Sequence, residues 1–177
     1  MTPKCIWLTG LPCAGKTTLA NGLEKKLLEL GHNCLHLDGD VIRKGLNSDL
    51  GFSMNDRKEN IRRVAELCKL LLPHHSEIIC SFIAPTLEIR ELARTIIGKE
   101  AFIEVFIDTP KEICAMRDPK GMYAKAFKGE IKEFTGISSP WEPPLSPALA
   151  IHTLNRTADE CVEELLAFVL TKIQRLS

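Results

Sequence analysis

The sequence predicts an α/β fold of three layers, with helices on both faces of a mostly parallel five-stranded sheet and a lid-like segment late in the chain. Three observations predict it. Short apolar runs alternate with stretches of helical periodicity along the chain. That alternation favours parallel strands joined by crossover helices. The 177 residues suit a single domain, expected over 1–177.

The elements follow in order. Lys4–Gly10, KCIWLTG, is a buried strand. Lys16–Leu30 is a helix with Leu19, Leu23, Leu27 and Leu30 at helical spacing, ended by Gly31. Asn33–Asp38 is a second strand. Ser53 and Asp56 make a capping-box pattern for a helix whose buried face carries Ile61, Val64, Ala65, Cys68, Leu71 and Leu72, stopped by Pro73. Glu77–Phe82 is a third strand, Thr86–Ile97 a helix, and Ala101–Asp108 a fourth strand. Pro110 suits the first turn of a short helix running to about Arg117. Asp118–Pro147 is rich in Gly, Pro, Lys and Glu, and a long irregular segment of that kind is functional or disordered. Leu149–Asn155 is a last strand. Thr157 and Glu160 cap a closing helix with Val162, Leu165, Leu166, Val169, Leu170 and Ile173 on its apolar face.

Composition narrows the function. Lysine plus arginine equals aspartate plus glutamate at 23 each, which argues against a nucleic-acid binder. Seven cysteines, an odd number with wide gaps and no C-x-x-C, argue against a zinc site or a disulfide framework. Most fall in apolar runs, as reduced core thiols do in a cytoplasmic protein. The first apolar run is short and enters a glycine loop, so no signal peptide is expected, and no stretch is long enough to span a membrane.

That loop carries the first chemistry. Gly10-Leu11-Pro12-Cys13-Ala14-Gly15-Lys16-Thr17 matches G-x-x-x-x-G-K-[ST] at every fixed position, with Thr18 following. It follows a strand and opens a helix, the context that confirms a phosphate-binding loop. The glycines let backbone N–H groups curl inward, Lys16 reaches the β- and γ-phosphates of ATP, and the Thr17 hydroxyl meets Mg²⁺. The helix N-terminus adds its positive dipole end. Cys13 lies near Lys16 and that helix end, both of which lower a thiol pKa. A reactive thiol whose oxidation blocks nucleotide binding and a small tolerated side chain are the two readings, and the second is preferred. No N/T-K-x-D occurs and no D-x-x-G follows a strand, as both would in a GTPase, and the third strand ends in CSFIAP without a carboxylate, so the chain reads as a small-molecule kinase.

Six further segments sharpen this: LDGDVIRKGLNSDLGFS (37–53), DRKENIRR (56–63), SFIAP (81–85), FIEVFIDTP (102–110), RDPKGMYAKA (117–126) and GEIKEFTGI (129–137). Together they closely resemble the adenylylsulfate kinase family, which transfers the γ-phosphate of ATP to the ribose 3′-hydroxyl of adenosine 5′-phosphosulfate (APS), giving PAPS. The resemblance implies catalytic roles for Lys16, Asp38 and Asp40, with Asp38 and Thr17 on the Mg²⁺ side and Asp40 near the acceptor. The division between the two aspartates stays open, and both also suit the cap of the following helix. Arg117 joins the loop on the ATP side. Arg43, Arg57 and Lys120 would hold APS, with Asn60 in hydrogen-bonding reach. Arg57 stands on the same helix stripe as Ile61, Val64 and Cys68, so it either overhangs the sheet edge or meets an anion. Phe52 and Phe134 would sandwich the APS adenine, with Ser81 and Ile83 lining the same pocket and residues 118–147 forming a lid. A homodimer and functional coupling to an ATP sulfurylase also follow from the resemblance.

Four positions depart from the family pattern. Ala84 stands where many members have a serine considered a phosphoenzyme site, so direct transfer is expected. Val41 replaces an asparagine, Phe127 an arginine and Glu133 a glycine. The alternatives are a kinase for another small acceptor, and a nucleotide sensor that has lost turnover.

Overall fold

A computed structural model describes residues 3–75 and 77–173. Residues 1–2, 76 and 174–177 of the domain expected over 1–177 lie outside the described residues. Strands β1 (Lys4–Thr9), β2 (Cys34–Asp38), β3 (Glu77–Ser81), β4 (Phe102–Asp108) and β5 (Leu149–His152) form one sheet in the order β2-β3-β1-β4-β5, with every pairing parallel. The crossovers run through α1 (Lys16–Glu29), α3 (Met54–Leu71), α4 (Leu87–Ile97) and α5 (Lys111–Arg117), and α7 (Ala158–Ile173) closes the chain. Two short helices, α2 (Gly39–Lys44) and α6 (Met122–Phe127), were not anticipated from periodicity. Each has six residues, too few for a helical period to show.

The sheet separates two apolar cores. On one face Leu19, Leu23 and Leu27 of α1 and Val162, Leu165 and Val169 of α7 cover Ile6, Leu8 and Ile79. On the other, Ile61, Val64 and Cys68 of α3 and Ile89 and Ala93 of α4 cover Cys5, Trp7, Ile78 and Cys80. Trp7 is fully buried and stacks on Phe82 at 5.4 Å. The capping patterns form as expected: Ser53 Oγ accepts from the Asp56 N–H at 3.2 Å, and Thr157 and Glu160 bond each other's N–H groups reciprocally. All seven cysteines are free, and six are buried. Three of them, Cys5, Cys68 and Cys80, meet in the second core with sulfur contacts of 3.8 and 3.3 Å.

Helices α1 and α7 touch closely at Gly22, where an added Cβ would lie 2.6 Å from Val162 Cγ2. Alanine would gain up to ~1 kcal/mol of helix propensity, whereas overpacking costs about 1–3 kcal/mol. We therefore expect Gly22→Ala to lower the melting temperature. An unchanged or higher value would show that α7 slides aside freely.

Residues 118–147 are held rather than loose. The Asp118 carboxylate accepts from the N–H groups of Tyr123 and Ala124, both at 3.0 Å, starting α6. Tyr123, Ala126 and Phe134 enter the first core. The Phe134 carbonyl accepts from the N–H groups of Ile137, Ser138 and Ser139. Further on, buried Arg90 donates to the carbonyls of Ala84 and Glu142, both at 2.7 Å, and pairs with Glu104 at 2.9 Å. These are contacts between distant segments, so no local pattern announces them.

Candidate active site

Side-chain donors fix four carbonyls of the loop between β1 and α1. Lys16 Nζ folds back and donates to Gly10 O at 2.9 Å and Leu11 O at 2.7 Å. The Tyr123 hydroxyl donates to Pro12 O at 3.1 Å. Thr109 Oγ1 and Arg117 Nη1 donate to Ala14 O at 2.8 and 3.2 Å. The first residues of α1, whose N–H groups no helical carbonyl can satisfy, border the cavity. Gly15 adopts φ 104°, open to glycine at little cost, while Cys13 adopts φ 61° despite its Cβ. Gly10 is needed for close packing instead, since an added Cβ would lie 2.7 Å from the Ile107 carbonyl. Gly10 and Leu11 therefore pack into the protein, and the loop's cavity wall runs from Pro12 to Thr18.

Burial pushes the Lys16 ammonium down to about 8, with nearby Cys114, Cys13 and the two aspartates opposing the shift. Such a group is poised to gain from an incoming anion. Cys13 departs from expectation. Its thiol is raised, chiefly by burial and then by Asp118, which together outweigh Lys16, Lys120 and Arg117. This supports the small-side-chain reading rather than a reactive thiol.

Asp38, at the end of β2, is saturated. Its Oδ1 accepts from the N–H groups of Asp40 at 2.9 Å and Val41 at 3.3 Å, capping α2. Its Oδ2 accepts from the hydroxyls of Thr17 at 2.7 Å and Ser81 at 2.9 Å. Burial raises this carboxyl, but the four donors outweigh it and hold it below the ordinary range. The acidic group that β3 lacks is thus supplied from β2, in register with Ser81. Asp40 is different. Its carboxylate is 66% exposed, and it is paired with Lys120 of the lid segment, whose ammonium it raises.

These groups border one cavity of about 910 Å³. Lys16, Thr17, Asp38 and Asp40 are in its lining. So are Arg117, Thr153, Arg156, Thr157 and Cys161. The same lining brings together Arg43, Phe52, Arg57, Asn60, Ser81, Ile83 and Phe134, with Lys120 beside Asp40. Phe52 is 56% exposed with the Arg43 guanidinium 4.6 Å above its ring. Phe134 is buried and meets Tyr123 edge-on at 4.8 Å. Asn60 is fixed by Asn47, whose Nδ2 donates to Asn60 Oδ1 at 3.0 Å.

Of the polar or glycine residues at the ends of the first four strands, only Asp38 and Ser81 reach the cavity. Asp108 pairs with His152 at 2.8 Å instead. Thr109 and Tyr123, which set the loop, and the Thr153–Cys161 wall were missed by sequence reasoning. Tyr123 lies in α6, too short to show a period, and its burial in the first core carries it under the loop.

Arg57 answers the question its stripe position raised. It is buried and donates to Phe52 O at 2.7 Å, Thr135 Oγ1 at 2.9 Å and Glu133 O at 2.5 Å. All three acceptors are neutral, so in this state the charge staples α3 to residues 133–135. Hydrogen bonds from a charged donor contribute about 1.5–3 kcal/mol each. Arg57→Ala should therefore raise amide exchange across Glu133–Ser139 by roughly tenfold or more, read by hydrogen-exchange mass spectrometry. Unchanged exchange would mean that Phe134 burial alone holds the segment.

Comparison with known proteins places this geometry. The sequence profile of the family described as adenylylsulphate kinase matches residues 2–152. The adenylyl-sulfate kinase of Bacteroides thetaiotaomicron is 54% identical over 170 residues, covering 96% of this chain and 85% of that one. The adenylyl-sulfate kinase of Clostridium acetobutylicum is 50% identical over 164 residues, covering 93% and 82%. The structure of the Mycobacterium tuberculosis APS kinase CysC in complex with AMPPNP and APS superposes with a TM-score of 0.89 at 45% identity, covering 95% of this chain and 98% of that one. With the profile spanning most of the sequence and relatives at least 50% identical over more than four-fifths of their own length, the chain belongs to the adenylylsulphate kinase family.

Proposed function

We propose that this chain, as one domain, phosphorylates APS at its ribose 3′-hydroxyl with ATP, releasing ADP and PAPS. The observation that carries the reading is one cavity whose lining joins the phosphate loop, the arginines and phenylalanines Arg43, Arg57, Phe52 and Phe134, and Lys16, Asp38 and Asp40. ATP lies with its phosphates on the loop and its nucleoside toward Arg117 and Arg156. APS lies with its adenine between Phe52 and Phe134 and its phosphosulfate among Arg43, Arg57 and Lys120.

Phosphoryl transfer depends on alignment and charge neutralisation more than on covalent help from the protein. Lys16 exchanges its two carbonyl acceptors for phosphate oxygens, whose charge offsets the burial that lowers it. Thr17 and Asp38 fit Mg²⁺. The Thr17 proton points at Asp38, so the lone pairs of that hydroxyl are free for a cation, and the Asp38 carboxylate, its four acceptor positions already filled, would hold the ion through Thr17 or a bridging water. When bound, Mg²⁺ neutralises charge on the β- and γ-phosphates. The saturation of Asp38 separates the two aspartates. Asp40 exchanges Lys120 for the 3′-hydroxyl and accepts its proton late, as the oxygen bonds to the γ-phosphorus and the bond to the β-phosphate oxygen breaks. Lys120, released, turns to the phosphosulfate. Ala84 has no hydroxyl, so the phosphoryl group passes directly from ATP to the ribose.

Free buried thiols fit a reducing compartment, and among the described residues no helix is long and apolar enough to cross a membrane. We place the protein in the cytoplasm, as a homodimer. APS forms by adenylyl transfer from ATP to sulfate, so an ATP sulfurylase must supply it. ADP release with ATP, Mg²⁺ and APS, with PAPS identified by mass, tests the reading. ADP release only with another acceptor keeps the kinase and discards APS. Nucleotide binding with no turnover would make the chain a sensor.

A further inference from the structure

A histidine outside the cavity completes the saturation of Asp38. His36 lies two residues before Asp38 on β2, so both side chains leave the strand on the same face. That face looks onto α1. His36 Nε2 stands 2.8 Å from Ser81 Oγ, and its Nδ1 stands 3.0 Å from the amide Oδ1 of Asn21. The His36 N–H donates to Glu24 Oε1 at 3.0 Å, tying the same strand residue to α1 by its backbone. Ser81 Oγ in turn donates to Asp38 Oδ2, which also accepts from Thr17. Five side chains from α1, β2 and β3 thus form one hydrogen-bonded line, Asn21–His36–Ser81–Asp38–Thr17. Four of the five, Asn21, His36, Asp38 and Thr17, also border a second cavity of about 320 Å³, so Asp38 and Thr17 stand between it and the main one.

The serine fixes the direction of the line. A hydroxyl has one proton. Ser81 uses it on Asp38, so the ring nitrogen beside it must donate, which selects the Nε2–H form of His36. A half-turn of the Asn21 amide then presents its NH₂ to Nδ1. Without the ring, Ser81 Oγ has no donor behind it and is free to rotate toward the main cavity, which it also borders. Asp38 Oδ2 would lose one of its two hydroxyls.

We propose that His36 is a positioning residue: its Nε2–H holds the Ser81 hydroxyl on Asp38 and so sets the Asp38–Thr17 pair that receives Mg²⁺. This rests on the Mg²⁺-side role given above to Asp38 and Thr17. Partners that orient a metal-binding carboxylate typically change metal affinity 10–100-fold when removed.

The test uses the whole protein and three variants. His36→Leu removes the donor, His36→Gln keeps one N–H at about the Nε2 position, and Asp38→Asn is the reference. ADP binding is titrated calorimetrically in EDTA and across a Mg²⁺ series, beside melting curves and steady-state kinetics. For His36→Leu we expect the half-saturating Mg²⁺ concentration to rise about tenfold. ADP binding in EDTA and KM for APS should stay within twofold of wild type, and kcat at limiting Mg²⁺ should fall. His36→Gln should return the Mg²⁺ midpoint to within about twofold of wild type. A His36→Leu midpoint equal to wild type overturns the proposal. So do equal losses in His36→Leu and His36→Gln, since the ring would then act by packing alone. If Asp38→Asn itself leaves the Mg²⁺ midpoint unmoved, the metal-side reading of Asp38 fails first, and the role of His36 falls with it.

Discussion

Replacing Lys16 by alanine is expected to lower kcat at least about a thousandfold, roughly 4 kcal/mol of transition-state stabilisation. The reason is geometric. Lys16 is the one ammonium buried within the loop, and its resting partners are the carbonyls of Gly10 and Leu11 rather than a carboxylate. A buried charge held by neutral carbonyls gains strongly when phosphate oxygens replace them, and gains further as charge develops on the transferring group. Loss of the ammonium also leaves the Gly10 carbonyl short of a donor, at about 1–3 kcal/mol where buried, while the Leu11 carbonyl keeps the Ala14 N–H at 3.2 Å. A melting curve must therefore accompany the kinetics, and Lys16→Met, which keeps the buried stem, removes lost packing from the comparison. Folded Lys16→Met protein with kcat within tenfold of wild type would remove Lys16 from the chemistry.

The second large effect is expected at Asp38, and its contrast with Asp40 is the informative part. Asp38→Asn swaps one carboxylate oxygen for an NH₂ facing donors on both sides, the hydroxyls of Thr17 and Ser81 or the N–H groups of Asp40 and Val41. Loss of the α2 cap alone costs about 0.5–2 kcal/mol. We expect a lower melting temperature, a steeper need for Mg²⁺, and kcat reduced by about a hundredfold or more. Asp40→Asn should behave otherwise. Its carboxylate is exposed and caps nothing, so stability and Mg²⁺ dependence should stay near wild type while kcat falls by about 10²–10⁴, the usual worth of a general base. Identical behaviour of the two variants in both melting and Mg²⁺ titration would mean that the aspartates work as one unit, and the separation argued from their hydrogen bonds would be wrong.

Much of the frame was legible because it is written locally. The order of strands and helices along the chain, the leucine spacing of α1, the apolar stripe of α3 and the two capping pairs each depend on residues within a turn or a strand of one another. The phosphate loop is likewise local, eight consecutive residues whose spacing carries its own chemistry. The segments resembling the kinase family named most of the residues that the fold gathers into the cavity, Arg43, Arg57, Asn60, Phe52 and Phe134 among them. At three of the four departures from that family, the structure shows how each is accommodated. Val41 points its side chain to solvent while its N–H serves Asp38, Phe127 lies exposed beside Tyr123, and Glu133 offers Arg57 its carbonyl.

By itself, then, the sequence determined the alternation of elements, the phosphate loop and the identity of most cavity residues, since these are properties of neighbours along the chain. Only the tertiary structure decided how those residues meet. The order β2-β3-β1-β4-β5 puts Asp38 beside Ser81 and across from Thr17, brings His36 behind both, and closes Lys120 onto Asp40 from 80 residues away. It also reversed the sign expected at Cys13, where burial and Asp118 outweigh the cations nearby. Strand order and register are settled by burying two separate apolar faces at once, a cooperative and non-local condition. The hydrogen bonds that divide labour between Asp38 and Asp40 are consequences of that packing, and no spacing along the chain encodes them.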